Sequence, residues 1–177
     1  GSGDNQAVEA ALVEGAEITS TDCTLEGMEG DTGLHYSARD GHQSVLLTLL
    51  NRGLDINIRE DNQRTALMYA SGWGHLTCVQ TLLDHRALTD LKNASGDTAM
   101  MMAARSNYSD IAAELLAKEA DDQIENNEEK TALQMAEQRN SQDVVRIMKA
   151  WNDTEKLNQE LLAAADEGNQ RLVHGLI

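Results

Sequence analysis

A repeat of 33 residues governs this chain. Thr32, Thr65, Thr98 and Thr131 each stand 33 residues from the next. A fixed period of that size marks an array of stacked small units, in which each unit buries its apolar face only against its neighbours. The columns agree in chemistry as well as register. Two residues after each Thr comes Leu34, Leu67, Met100 or Leu133, and six after it Ala38, Ser71, Ala104 or Glu137. Nine after it stand Gly41, Gly74, Asn107 and Asn140, the residue types that best tolerate the left-handed backbone conformation ending a helix. The Thr hydroxyl suits the opposite end, where it can accept from an unpaired N–H of the first turn. Each stretch from Thr to Gly or Asn therefore reads as one short helix.

The next segment carries Val45, Cys78, Ile111 and Val144 in one column. Leu49, Leu82, Leu115 and Met148 follow four residues later, with Leu50, Leu83, Leu116 and Lys149 adjacent. Spacing of i, i+4 and i+5 is the buried face of a second helix. Polar stretches follow at 59–64, 92–97 and 125–130, each preceded by a lone apolar residue, Ile58, Leu91 or Ile124. They read as projecting hairpin-like turns between units.

Composition sets the outer bounds. Of the 177 residues 41% are apolar, enough for a real core. Gly1-Ser2-Gly3 reads as an engineered leader and is set aside, with no basic signal-peptide region behind it. Apolar runs such as 99–104 fall far short of the roughly 18 residues that span a bilayer, so a soluble chain with no membrane insertion is expected. The formal charge is −16 and no Lys or Arg precedes Arg39. That charge argues against nucleic acid, which needs cations at its phosphates. The two cysteines, Cys23 and Cys78, are too few for a disulfide framework and too far apart for a C-x-x-C unit. A reducing compartment, cytoplasmic or nuclear, is the expectation.

The pattern resembles the ankyrin repeat. Its T-P-L-H-x-A signature is matched by Thr32-Gly33-Leu34-His35-Tyr36-Ser37-Ala38 with Gly41-His42, and by Thr65-Ala66-Leu67-Met68-Tyr69-Ala70 with Gly74-His75. The family's L-L-x-x-G-A-D-V-N appears as Leu49-Leu50-Asn51-Arg52-Gly53-Leu54-Asp55-Ile56-Asn57. The resemblance implies an all-α solenoid of stacked helix-turn-helix units with projecting hairpin-like turns. The family Pro is replaced by Gly33, Ala66, Ala99 and Ala132, and the chain has no Pro and no Phe, where average usage gives about nine prolines. Ala remains a good helix former, so each unit is weakened and not abolished. Residues 4–177 are expected to form one domain, with repeats at 32–64, 65–97, 98–130 and 131–156. Residues 4–31 would hold a partial first unit and a long connection, and 157–177 a partial last unit opened by Leu161-Leu162-Ala163-Ala164-Ala165 and Gly168. Both ends look incomplete, as in a piece of a longer array, and a truncated end leaves an apolar face that a capping unit normally shields.

Arrays of this kind bind with the hairpin tips and the exposed side of the first helices. Register places Met28, Glu29, Asp31, Asn62, Arg64, Ala94, Ser95, Asp97, Asn127, Glu128 and Lys130 on the tips. Arg39, Asp40, Gly72, Trp73, Arg105, Ser106, Gln138 and Arg139 fall on the helix side. Trp73 stands out, because its column otherwise holds Asp40, Ser106 and Arg139 and exposed Trp is a common binding hot spot; its competing role is packing on a neighbouring unit. In Met100-Met101-Met102, core roles are expected for Met100 and Met102, leaving Met101 as the surface member. The expected partner-binding set is Met28, Arg39, Asp40, Asn62, Arg64, Trp73, Asp97, Met101, Arg105, Ser106, Lys130 and Arg139.

Other features favour structure over chemistry. His35, His42 and His75 lie where the family uses His to hydrogen-bond backbone turns, in place of metal or acid–base roles. Cys78 sits in a core column and should be inert, while Cys23 is the reactive candidate. The acidic run Glu119, Asp121, Asp122, Glu125, Glu128 and Glu129 lacks the glycine and bidentate Glu of a calcium loop and reads as a solvated edge attractive to basic partners. Asp55-Ile56-Asn57 resembles the motif modified by asparaginyl hydroxylases on ankyrin repeats, which would make Asn57 a target. Phosphate-binding glycine loops, Cys/His ligand spacings and nucleophile elbows are all missing. The expectation is a non-catalytic module without metal or cofactor, binding a partner protein or peptide on its concave face. The alternatives are a structural or self-associating spacer, or an engineered repeat protein.

Overall fold

A computed structural model describes residues 33–174, with side chains described to residue 163. Eight helices and no strand occur among the described residues: α1 Gly33–Arg39, α2 Gln43–Asn51, α3 Ala66–Trp73, α4 Leu76–Asp84, α5 Ala99–Arg105, α6 Ser109–Ala117, α7 Ala132–Gln138 and α8 Gln142–His174. They form four antiparallel pairs. The first helices α1, α3, α5 and α7 stack in one row, and α2, α4, α6 and α8 form a second row behind them. The architecture is the expected all-α repeat solenoid.

The Thr column starts the first helices. Thr65, Thr98 and Thr131 are extended, and their side-chain oxygens accept from the N–H of Met68, Met101 and Gln134, three residues on. Gln134 returns the bond to Thr131, completing a capping box. The Gly/Asn column ends these helices in the left-handed region: φ is 76° at Gly41, 83° at Gly74, and 58° at both Asn107 and Asn140. At Gly74 the missing side chain is also a packing requirement, because a Cβ there would stand 2.6 Å from the Tyr108 ring.

Leu46, Leu49, Leu82, Ile111, Leu115, Leu116, Val144 and Met148 are buried between the rows, together with Leu34, Leu67 and Met100 from the first helices. Each fully buried side chain of this size contributes about 1.5–3 kcal/mol. Small residues at Ala38, Ala70, Ala104 and Ala136 are buried among them, which lets neighbouring helices approach closely.

Between pairs the chain projects as hairpin tips closed by backbone bonds: Glu60 N–H to Arg64 O, Asn93 to Asp97 and Asn126 to Lys130, at 3.1, 3.0 and 3.0 Å. The tips also join edge to edge, through Ala94 N–H to Asn62 O at 2.9 Å and Asn127 N–H to Ser95 O at 3.1 Å. Inside each tip a side chain at 60, 93 or 126 accepts from the backbone N–H of Arg64, Asp97 or Lys130.

Two expectations need correction. A break between 131–156 and 157–177 was expected, but α8 runs unbroken from Gln142 to His174. Met101, expected at the surface, is fully buried, as are Met100 and Ala103, because α5 is flanked by α3 on one side and α7 on the other. A helix packed on both sides keeps only one narrow outward stripe.

Candidate functional site

That outward stripe recurs every 33 residues. It comprises Tyr36, Tyr69, Met102 and Met135, then Arg39, Gly72, Arg105 and Gln138, then Asp40, Trp73, Ser106 and Arg139. Between successive first helices the stripe opens into two clefts. One, of about 230 Å³, is lined by Arg64, Met68, Tyr69, Gly72, Trp73, Met102, Arg105 and Ser106. The other, of about 470 Å³, lies one unit further along, between the tip and helix bearing Ala94, Ser95, Asp97 and Arg105 and those bearing Asn126, Asn127, Glu128, Lys130, Met135, Gln138 and Arg139. Arg105 belongs to both.

Seven of the expected residues therefore line these two adjoining clefts: Arg64, Trp73, Asp97, Arg105, Ser106, Lys130 and Arg139. Trp73 is 59% exposed, so its indole is not consumed by packing. Ser106 Oγ donates to Gly72 O at 3.2 Å and stitches the two rims of the smaller cleft. Lys130 Nζ donates to Glu128 at 2.7 Å and to Gln138 at 2.9 Å, and this contact pulls the exposed Glu128 carboxyl below its usual range.

Asp97 also lines the larger cleft but is only 4% exposed, which corrects its expected place on the exposed tips. Its carboxylate accepts from Arg105 at 3.2 Å and from Asn126 Nδ2 at 2.8 Å. Its role is to hold the Arg105 guanidinium, which also donates to Met102 Sδ at 2.7 Å. Arg39 and Asp40 lie outside both clefts and pair at 2.9 Å, and the Arg39 hydrogen bond holds the Asp40 carboxyl low against a smaller opposing effect of burial. Asn62 sits on a tip, where its Nδ2 donates to Glu60. Met28, Glu29, Asp31 and Cys23 lie outside the described residues.

Column arithmetic missed the apolar floor formed by Met68, Tyr69, Met102 and Met135. The signal was present, since Tyr36, Tyr69, Met102 and Met135 share one column of large apolar side chains, but it reads equally as core. The histidines act on backbone: His35 Nε2 meets Ile58 O at 3.1 Å and His75 Nε2 meets Arg39 O at 2.8 Å. Asn57 Oδ1 accepts from Leu88 N–H of the next unit at 3.0 Å. Burial pushes the Cys78 thiol up, away from the reactive thiolate. Among the described residues no helix is long and apolar enough to cross a membrane.

The family model described as "Ankyrin repeats (3 copies)" matches residues 1–93 and again 86–160. This chain belongs to the ankyrin-repeat family. Ankyrin repeats are generally protein–protein interaction modules, and the family is typically non-enzymatic.

Proposed function

We propose that this ankyrin-repeat chain is a non-catalytic interaction module that takes a partner protein or peptide along the face formed by the first helices and hairpin tips, as part of a larger protein. The observation that carries this reading is the pair of clefts in line, sharing Arg105, with Trp73 more than half exposed on the rim. A solenoid offers such a face at little folding cost, because the residues that hold the stack and those that face outward occupy different columns. Large exposed aromatic and Arg side chains are the types that dominate interface energetics.

The test is affinity capture with the 177-residue chain and its Trp73→Ala/Arg139→Ala variant, alongside thermal unfolding of both. The expected outcome is a partner retained by the parent and weakened at least tenfold by the variant, with the unfolding midpoints matching. A partner held equally by both would place binding elsewhere. A second reading, a self-associating spacer, is favoured by Leu157, Leu161 and Leu162, which are 55%, 61% and 69% exposed on α8. Sedimentation across a range of concentrations separates it from the first: a species that stays monomeric at all of them removes it.

A further inference from the structure

The groove carries a charge opposite to that of the molecule. The chain totals −16, yet the residues lining the two clefts include Arg64, Arg105, Lys130 and Arg139 against only Asp97 and Glu128. Both acids are already matched, Asp97 to Arg105 at 3.2 Å and Glu128 to Lys130 at 2.7 Å.

The remaining cations have unused donors. The Arg139 side chain makes no hydrogen bond or ion pair among the described residues, although the charge of Glu128 lies near it. The Arg64 guanidinium lies 5.8 Å from the Tyr69 ring centre, and its Nε is buried with no acceptor. Arg64 thus lends positive charge to the smaller cleft, whereas the free guanidinium of Arg139 in the larger one can bind a carboxylate in a two-pronged fashion. Between the cations lies the apolar surface of Tyr69, Trp73 and Met102.

Resting on the reading above that this face binds a peptide or protein, we propose that its ligand is an extended acidic peptide segment, with a carboxylate seated in the larger cleft among Arg105, Lys130 and Arg139 and an apolar side chain on the Tyr69–Trp73–Met102 floor. The polarity is the reverse of the basic partner expected from the acidic run Glu119, Asp121, Asp122, Glu125, Glu128 and Glu129, because of that run only Glu128 lines the clefts while four cations do. A long polyanion would meet that surrounding negative field along its length; a short segment with one or two carboxylates meets only the groove. The clefts are one unit apart, about 8–10 Å for packed helices. In a polyproline II segment, with three residues per turn and about 3.1 Å per residue, side chains three positions apart share a face and span that distance, so the apolar and acidic side chains stand about three positions apart.

The test is selection of random linear dodecapeptides displayed on phage against the whole protein, followed by fluorescence-polarisation titration of the synthetic winners. The expected result is a consensus pairing Asp or Glu with Leu, Phe or Trp about three positions away. Affinity should fall at least tenfold in Arg139→Glu and in Trp73→Ala, and fall with added salt in the parent. Circular dichroism confirms that both variants are folded; Arg139 is a sound probe because its side chain holds no structural bond, and its backbone bond to Met135 O survives the substitution. A basic or uncharged consensus that still depends on Trp73 overturns the acidic ligand and leaves the binding face standing. Peptides indifferent to both substitutions, or no enrichment at all, overturn both.

Discussion

Glu60 is the one carboxylate in a column that otherwise holds Asn93 and Asn126, and it is 5% exposed. Burial by itself pushes its pKa up. The N–H groups of Asn62 and Arg64, the Asn62 amide and the Arg64 charge together outweigh that and leave it below the ordinary 4.5. A carboxyl whose folded pKa is depressed adds stability above its unfolded value and loses it as pH falls through the folded one. Glu60→Ala is expected to lower the unfolding free energy by about 1–3 kcal/mol at pH 7, the cost of stranding buried donors. Urea denaturation at stepped pH should show that deficit narrowing as pH falls. Glu60→Asn, which restores the acceptor used in the next two units, should recover most of it at pH 7. A deficit independent of pH would mean that the charge contributes nothing and only the shape of the acceptor matters.

At the scale of the helix, α3, α5 and α7 are set by a Thr cap and all four first helices by a left-handed terminator, and these were legible from residue type and spacing alone. Both are local: a hydroxyl reaching three residues on, and a φ that only Gly or Asn takes cheaply. What escaped was set by partners far along the chain. The burial of Asp97 depends on Asn126, 29 residues away, and that of Met101 on being hemmed in by α3 and α7, so no periodicity within α5 reports either. Met101 shares a column with His35, Met68 and Gln134; the first three are at most 1% exposed while Gln134 is exposed, so the column alone does not place it. The caps also yield a prediction. Thr98→Ala is expected to cost about 1 kcal/mol. Ala99→Pro should instead stabilise by about 0.4–1 kcal/mol, because position 99 opens α5 after an extended Thr98 and Pro would pre-set its backbone. Calorimetric midpoints decide both signs, and a destabilised Ala99→Pro protein would indicate that the buried site has no room for the ring.

Across the whole molecule, stability is spread along the stack, since each pair of helices touches only its neighbours. The described side chains of α8 beyond Asn152 are all exposed. Leu161→Glu/Leu162→Glu is therefore expected to change the unfolding free energy by less than about 0.5 kcal/mol; if the spacer reading holds, the same variant abolishes concentration-dependent sedimentation. A loss of several kcal/mol would mean that these leucines are covered in solution.

The row of hairpin tips, joined edge to edge by a few backbone and side-chain hydrogen bonds, gives the array a mechanical asymmetry. Its helix side is cemented by burial, and its tip side is a seam of replaceable stitches. Flexing the solenoid is therefore expected to strain the seam first, and because the larger cleft is bordered by two neighbouring tips, its width should change with the curvature of the array. A ligand that bridges two clefts acts as a brace across a hinge: it would stiffen the spring while it binds, and tension on the ends of the chain would be felt as a change in its grip.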